Sequence, residues 1–217
     1  MYNKFNKSIL DDWQKKIKPL HEIIIQASEP SGRSQNHHYD FSIGMHYSYF
    51  NLSNKNKMNM QIGNHENLLL CAFNPFTDRK RRGSHKINRL HILKNLNDNN
   101  IKNEQLDQTE YFKTLSSYKF VISPEGNGLD CHRHYEALIA GCIPIIEYNK
   151  YIEKKYKNLP VLYTNDYSEI NTDYLLKKYV EFEQKTYNFS KLFLSNHTKR
   201  SQFLIKKYGN FWCNKFR

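Results

Sequence analysis

The chain has 217 residues, 39% of them hydrophobic and 25% charged, with a formal net charge of +12 and a pI near 9.4. That length suits one domain, or one and part of a second, with a core that needs no covalent staples. The four cysteines (Cys71, Cys131, Cys142 and Cys213) form no CxxC pair, which argues against a zinc site and a disulfide framework.

The mean hydropathy of −0.81 is low for a folded enzyme. Much of it comes from Asn and Lys, which an AT-rich coding sequence favours. The positive balance points to anionic partners: nucleic acid, an anionic membrane surface or phosphorylated small molecules. Lys and Arg are spread through the chain, so most of this charge reads as solvated surface. The N-terminus lacks the apolar stretch of a signal peptide, and no apolar run reaches membrane-spanning length. These features lead to the expectation of a soluble, cytoplasmic protein with no membrane span.

Residues 8–18 pattern as a short amphipathic helix ending at Pro19, and residues 22–27 as a strand. Residues 29–66 are irregular, with strand-like pieces around Phe41–Ile43 and Met58–Ile62. From Asn67 the pattern sharpens. NLLLCAF (67–73) predicts a buried strand, and NPFTDRKRRGS a basic loop. The segment 85–96 places Ile87, Leu90, His91 and Leu93 at helical spacing, with Asn97–Asn100 as its stop. A helix over 109–118, a strand over 119–124 and a helix over 130–141 stopped by Gly141 follow. Then come a strand over 142–147, a helix over 148–157, a strand over 160–164, a helix over 172–185 and a final helix through Phe203–Tyr208. Strands and helices alternating on short connections predict a doubly wound parallel sheet. In such sheets ligands sit beyond the carboxyl ends of the strands.

FVISPEGNGLDCHRHYEALIAGCIPIIE, residues 120–147, occupies such a place: strand, Gly-rich turn, helix. Gly126 and Gly128 tolerate positive φ and close approach of backbone to ligand. The helix start offers free N–H groups to an anion. Arg133 adds a planar fork of donors in the first turn. Glu136, one turn on, suits ribose hydroxyls better than phosphate. There is no GxxxxGK[ST], and GNGLD has only the first two glycines of GxGxxG. The layout fits a nucleotide diphosphate. It is also open to being an ordinary structural turn with a salt-bridge network.

The stretch YKFVISPEGNGLDCHRHYEALIAGCIPIIE resembles the donor-binding signature of exostosin-like glycosyltransferases of the GT-B fold, and is closest to short forms from large DNA viruses and microbes. The shared features are a strand ending in Ser-Pro, the Gly-rich turn, the Asp and His-Arg pair, Glu-Ala-Leu and Gly-Cys-Ile-Pro. The resemblance implies a Rossmann-like donor domain over 67–217 with a reduced acceptor-side lobe over 1–66. It implies donor contacts at Ser123, Glu125, Gly126, Asn127, Gly128, Arg133 and Glu136, flanked by Asp130 and His132. Arg81 or Arg82 in the basic loop, or Arg89 beyond it, would add charge toward the donor phosphates.

The substrates so implied are a nucleotide diphosphate sugar, on UDP, GDP or another nucleotide, and a glycan or protein hydroxyl. No cofactor is implied. No Asp-x-Asp pair is present, which fits metal-independent transfer. If the viral likeness extends to origin, host cytoplasm or a virus factory is the expected location. Candidates for a general base are Glu125, Asp40, His38 and Glu29; His37, His38 and His46 are open to an acceptor-side role as base or sugar contact, and more readily to being surface or packed polar residues. Two other functions stay open: a degenerate transferase domain that binds nucleotide or partner without turnover, and a basic nucleic-acid-binding module, disfavoured because no binding motif is present.

Overall fold

The computed structural model of the chain describes residues 41–46, 49, 61–83 and 87–208. The sequence-predicted helix at 8–18 and strand at 22–27, with Glu29, His37, His38, Asp40 and positions 58–60, lie outside them. Four strands, β1 (Asn67–Leu70), β2 (Tyr118–Ile122), β3 (Ile143–Glu147) and β4 (Leu162–Thr164), form a parallel sheet in the order β1-β2-β3-β4. Among the described residues the helices are α1 (Arg79–Arg82), α2 (Arg89–Asp98), α3 (Gln108–Thr114), α4 (His132–Ile139), α5 (Lys150–Lys155), α6 (Thr172–Glu183) and α7 (Lys199–Tyr208). None of the described helices is long and apolar enough to cross a membrane.

The strands are apolar on both faces because the sheet is covered on both. Phe120 and Ile122 of β2 share one face with Ile143, Ile145 and Leu162, under Ile92 and Leu96 of α2 and Leu175, Tyr179 and Phe182 of α6. Leu70, Val121 and Ile146 face the other way, under α3, α4 and α5. The register Phe120↔Ile143, Ile122↔Ile145 and Ile145↔Leu162 carries the first set across three strands. This is the α/β parallel architecture the alternating pattern predicts. Pro144 sits in β3 opposite Val121, where pairing with β4 has not yet begun. A residue without an amide proton is tolerated there.

The abundant asparagines acquire a local use. Asn88, Asn149 and Asn171 cap α2, α5 and α6 by accepting from N–H groups of their first turns. Asp107 and Glu110 close α3 with a reciprocal capping box.

Three segments depart from expectation. The basic loop contains one helical turn, α1, in which Asp78 O accepts from the N–H groups of Arg81 and Arg82. The buried stripe of α2 is Arg89, Ile92 and Leu96, whereas Ile87 and Leu90 are 64% and 49% exposed. Hydrogen bonding of Arg89 to interior carbonyls sets that rotation. The strand-like piece Phe41–Ile43 is irregular, yet Phe41, Met45 and Tyr49 are buried in the α3–α4 face of the core.

Asn103 supplies a rung that the chain would otherwise lack beside β1. Its Oδ1 accepts from Phe73 N at 2.9 Å and its Nδ2 donates to Phe73 O at 3.0 Å, while Glu104 N donates to Cys71 O at 2.7 Å. The side-chain amide mimics a neighbouring strand and fixes residues 104–108 alongside the end of β1. Asn103→Ala would strand two backbone groups of Phe73. Urea unfolding should show a loss of about 1–3 kcal/mol.

Candidate functional site

A cavity of about 1010 Å³ opens past the carboxyl ends of β1 and β2. One wall is the segment 72–77 after β1. The floor is the turn Gly126–Gly128 and the start of α4. The opposite wall is residues 104–112, and Ile43 and His46 close one side. The position is that of ligand sites in α/β sheets.

Arg89 builds the floor. It is 3% exposed and donates from Nε to Glu125 O at 2.8 Å, from Nη1 to Asn74 O at 2.8 Å and from Nη2 to Pro124 O at 2.9 Å. One guanidinium thus ties the loop after β1 to the loop after β2. It also explains Gly126. That residue has no positive φ, contrary to the expected use of the glycine. Instead a Cβ there would meet Arg89 Nη2 at 3.1 Å.

Behind the turn lies a neutralised ion cluster. Arg81 Nη2 and Arg82 Nη2 donate to Glu125 Oε2 at 2.7 and 2.6 Å, and Arg82 Nη2 also reaches Glu147 Oε1 at 2.6 Å. Arg81 Nε donates to Gly126 O, and Glu147 Oε2 accepts from Glu125 N. Burial works against the charge of Arg82, but Glu147 and Glu125 outweigh it and hold its pKa above the ordinary value. Arg81, Arg82 and Glu125 do not line the cavity. The arginines expected at donor phosphates, and the carboxylate expected to serve as base, are committed to one another beneath the turn. Ser123 is also behind it, fully buried, with Oγ 2.7 Å from His134 Nδ1. His134, which the sequence did not single out, has its pKa held down to about 4 by burial.

Gly126, Asn127, Gly128, Asp130, His132, Arg133 and Glu136 all line the cavity. Three of them have a further task. Asp130 Oδ2 accepts from Ile43 N at 2.9 Å, His132 Nδ1 donates to Gly44 O at 2.8 Å, and Glu136 Oε1 accepts from His46 N at 2.9 Å. The segment 43–46 is thereby clamped onto α4, with Gly44 at φ 78°, a conformation that favours glycine. Asp130 also accepts from Tyr156 OH at 2.6 Å and Lys155 Nζ at 3.2 Å. Burial pushes Asp130 up, yet Lys155, His134, Tyr156 and the Ile43 N–H together hold it below the ordinary value.

Burial raises the Glu136 carboxyl to about 7, against the pull of the His46 N–H and Arg133. Burial, helped by His132, lowers His46 to about 4. The two rings meet edge to face with centroids 5.6 Å apart, and Gln108 Nε2 lies 3.3 Å from His46 Nδ1. Arg133 lies over the Tyr111 ring, 5.2 Å from its centroid. Among the described residues its Nε has no hydrogen-bond partner and it makes no ion pair. The α4 N-terminus has no side-chain cap.

Sequence reasoning missed the far wall, Glu104–Tyr111. Its only local signal is the capping box of α3, which marks a helix start and says nothing of a cavity.

Residues 82–214, more than half of the chain, match the model of the family described as the RXYLT1 C-terminal domain. No curated protein matches the chain.

Two predictions follow from the buried carboxyls. Asp130→Asn leaves Lys155 buried beside a neutral amide, and urea unfolding near neutral pH should show a loss of about 3–5 kcal/mol. Because the folded pKa of Asp130 is depressed, its contribution is complete above the ordinary value of 3.8 and disappears as pH falls through the folded value. Glu136 has the opposite sign. With its folded pKa raised from 4.5 to about 7, it penalises folding progressively between those values. Glu136→Gln should therefore gain stability over the parent as pH rises through this interval, by roughly 3 kcal/mol at most. Denaturation at a series of pH values measures the gap, and a gap that does not change with pH would sink the assignment.

Proposed function

The chain belongs to the RXYLT1 C-terminal domain family, a glycosyltransferase-related family of exostosin-like kind, and we propose that it is a glycosyltransferase of the GT-B type. In this proposal a nucleotide diphosphate sugar occupies the cavity, and its sugar passes to an acceptor hydroxyl without a bound divalent cation.

The observation that carries this reading is Arg133. It is a guanidinium lining a cavity with no carboxylate paired to it among the described residues, whereas Arg81 and Arg82 are neutralised. Arg89 lies close enough that the charge of Arg133 depresses its pKa, second to burial. Two neighbouring cations and the uncapped start of α4 gather donors that suit a diphosphate, on a lining that also carries Glu104, Asp107, Asp130 and Glu136.

The diphosphate would rest on the turn 126–128 and the first N–H groups of α4. There, negative charge developing on the leaving group meets donors already in place. Glu136 fits the same picture. Its raised pKa reduces repulsion toward phosphate, and its carboxyl can bond ribose hydroxyls. The acceptor would enter along the wall of His46 and Gln108. His46 is neutral at physiological pH, so it can take a hydrogen bond from the incoming hydroxyl. Lys155 and Tyr156 act at a distance, by holding Asp130 and so the clamped segment.

A thermal-shift screen of UDP, GDP, CDP, ADP and their sugar conjugates tests the proposal. At a hundredfold excess over Kd the preferred nucleotide should raise Tm by about 5–10 °C. Arg133→Ala should abolish most of that shift while leaving the unliganded Tm nearly unchanged. A folded protein that responds to none of the nucleotides would refute the donor site.

A further inference from the structure

We propose that Tyr111 is the positioning residue of the anion seat: its ring, in place of a carboxylate, holds the Arg133 guanidinium at the cavity wall and leaves its charge available to a diphosphate. The assignment rests on the donor-site proposal above and adds to it a residue that lies outside the turn and α4.

An arginine beside a cavity has to be held, because its long side chain otherwise loses the orientation that makes its donors useful. The arginines around this turn are held in three different ways. Arg81 and Arg82 are held by carboxylates, which also cancel their charge. Arg89 is held by three carbonyls, one on each of its nitrogens. Arg133 is held by the face of Tyr111, with Cζ 5.2 Å from the ring centroid. A π face attracts the cation without neutralising it. Of the three, only this mode leaves the charge intact without locking the guanidinium onto backbone carbonyls.

The platform itself is fixed. Tyr111 is 7% exposed. Its N–H is bonded to Asp107 O, within a helix started by the Asp107–Glu110 box. The ring packs at 5.6 Å against that of Phe112, which meets Tyr49 at 4.8 Å. Tyr111 and Arg133 both line the cavity, from opposite elements. The Tyr111 hydroxyl is buried and makes no hydrogen bond of regular geometry among the described residues, although Arg133 lies close enough to it to oppose the rise in pKa that burial causes. The proposal assigns the hold to the ring face, and the hydroxyl is the alternative that the variants separate.

Calorimetric titration of the full chain with inorganic pyrophosphate, and with whichever nucleoside diphosphate gives the thermal shift, tests this. The variants are Tyr111→Phe, Tyr111→Leu, Arg133→Ala and the Tyr111→Leu/Arg133→Ala pair, each checked for folding by circular dichroism. The expected result is that Tyr111→Phe binds pyrophosphate within about threefold of the parent, while Tyr111→Leu loses about tenfold or more. Affinity for the uncharged nucleoside should not change in either. With Arg133 removed, Tyr111→Leu should add almost nothing, a non-additivity that general loosening of the core would not produce.

Equal affinity in Tyr111→Leu and the parent would overturn the proposal. So would an equal loss in Tyr111→Phe and Tyr111→Leu, since the hydroxyl and not the face would then matter. Tyr111→Phe keeps the ring and removes only the hydroxyl, so a loss of about tenfold or more in that variant overturns the proposal even if Tyr111→Leu fails to fold. A parent that binds pyrophosphate but no nucleoside diphosphate, with the expected pattern among the variants, would support the seat while removing the nucleotide donor. A parent that binds neither would remove both.

Discussion

The candidate site depends on one buried arginine. Arg89 takes the carbonyls of Asn74, Pro124 and Glu125 into a single planar fork, so the two loops that follow β1 and β2 cannot separate. A buried guanidinium satisfied by carbonyls is costly to desolvate, and its gain is geometric. It fixes the floor of the cavity, crowds any side chain at position 126 and turns α2 so that Ile92 and Leu96 meet the sheet. Removing it would leave three carbonyls unpaired in the interior, the kind of loss that unmakes a loop rather than loosening it.

Around that staple the charges are arranged by depth. Beneath the turn, Arg81 and Arg82 are matched by Glu125 and Glu147, a cluster whose carboxylates also accept a backbone N–H. At the cavity wall the matching stops, and Arg89 and Arg133 face each other's charge. The ion-paired and the unpaired arginines lie within one loop and helix of each other. Arg81 and Arg133 are equally basic in sequence; an ion pair with Glu125 separates the first from the second.

The start of α4 does two things at once. Asp130, His132 and Glu136 line the cavity and also clamp the backbone of residues 43, 44 and 46. The side of the cavity is thus made by a segment nearly ninety residues away, held by the same side chains that the resemblance assigns to the donor. The raised pKa of Glu136 and the lowered one of His46 are consequences of this closure, since burial is the leading cause of each.

The architecture was legible in the sequence because its signals are local. Apolar runs of strand length, apolar residues at helical spacing and Gly141 after a helix each act within a few residues, and together they lead to the parallel sheet that is observed. The turn 126–128, Arg133 and Glu136 were legible for the same reason: they lie on one continuous strand–turn–helix segment. What the sequence could not reveal is which of several arginines are neutralised, which face of α2 is buried, that Asn103 imitates a strand, and that Tyr111 reaches the cavity. Each of these depends on a partner thirty to ninety residues distant or on another element, and periodicity carries no record of such partners. Composition and pattern determined the layers and the place of the turn. Only the packing of those layers decided which charges were left unmatched, because the energy of a buried charge is set by its neighbours in space.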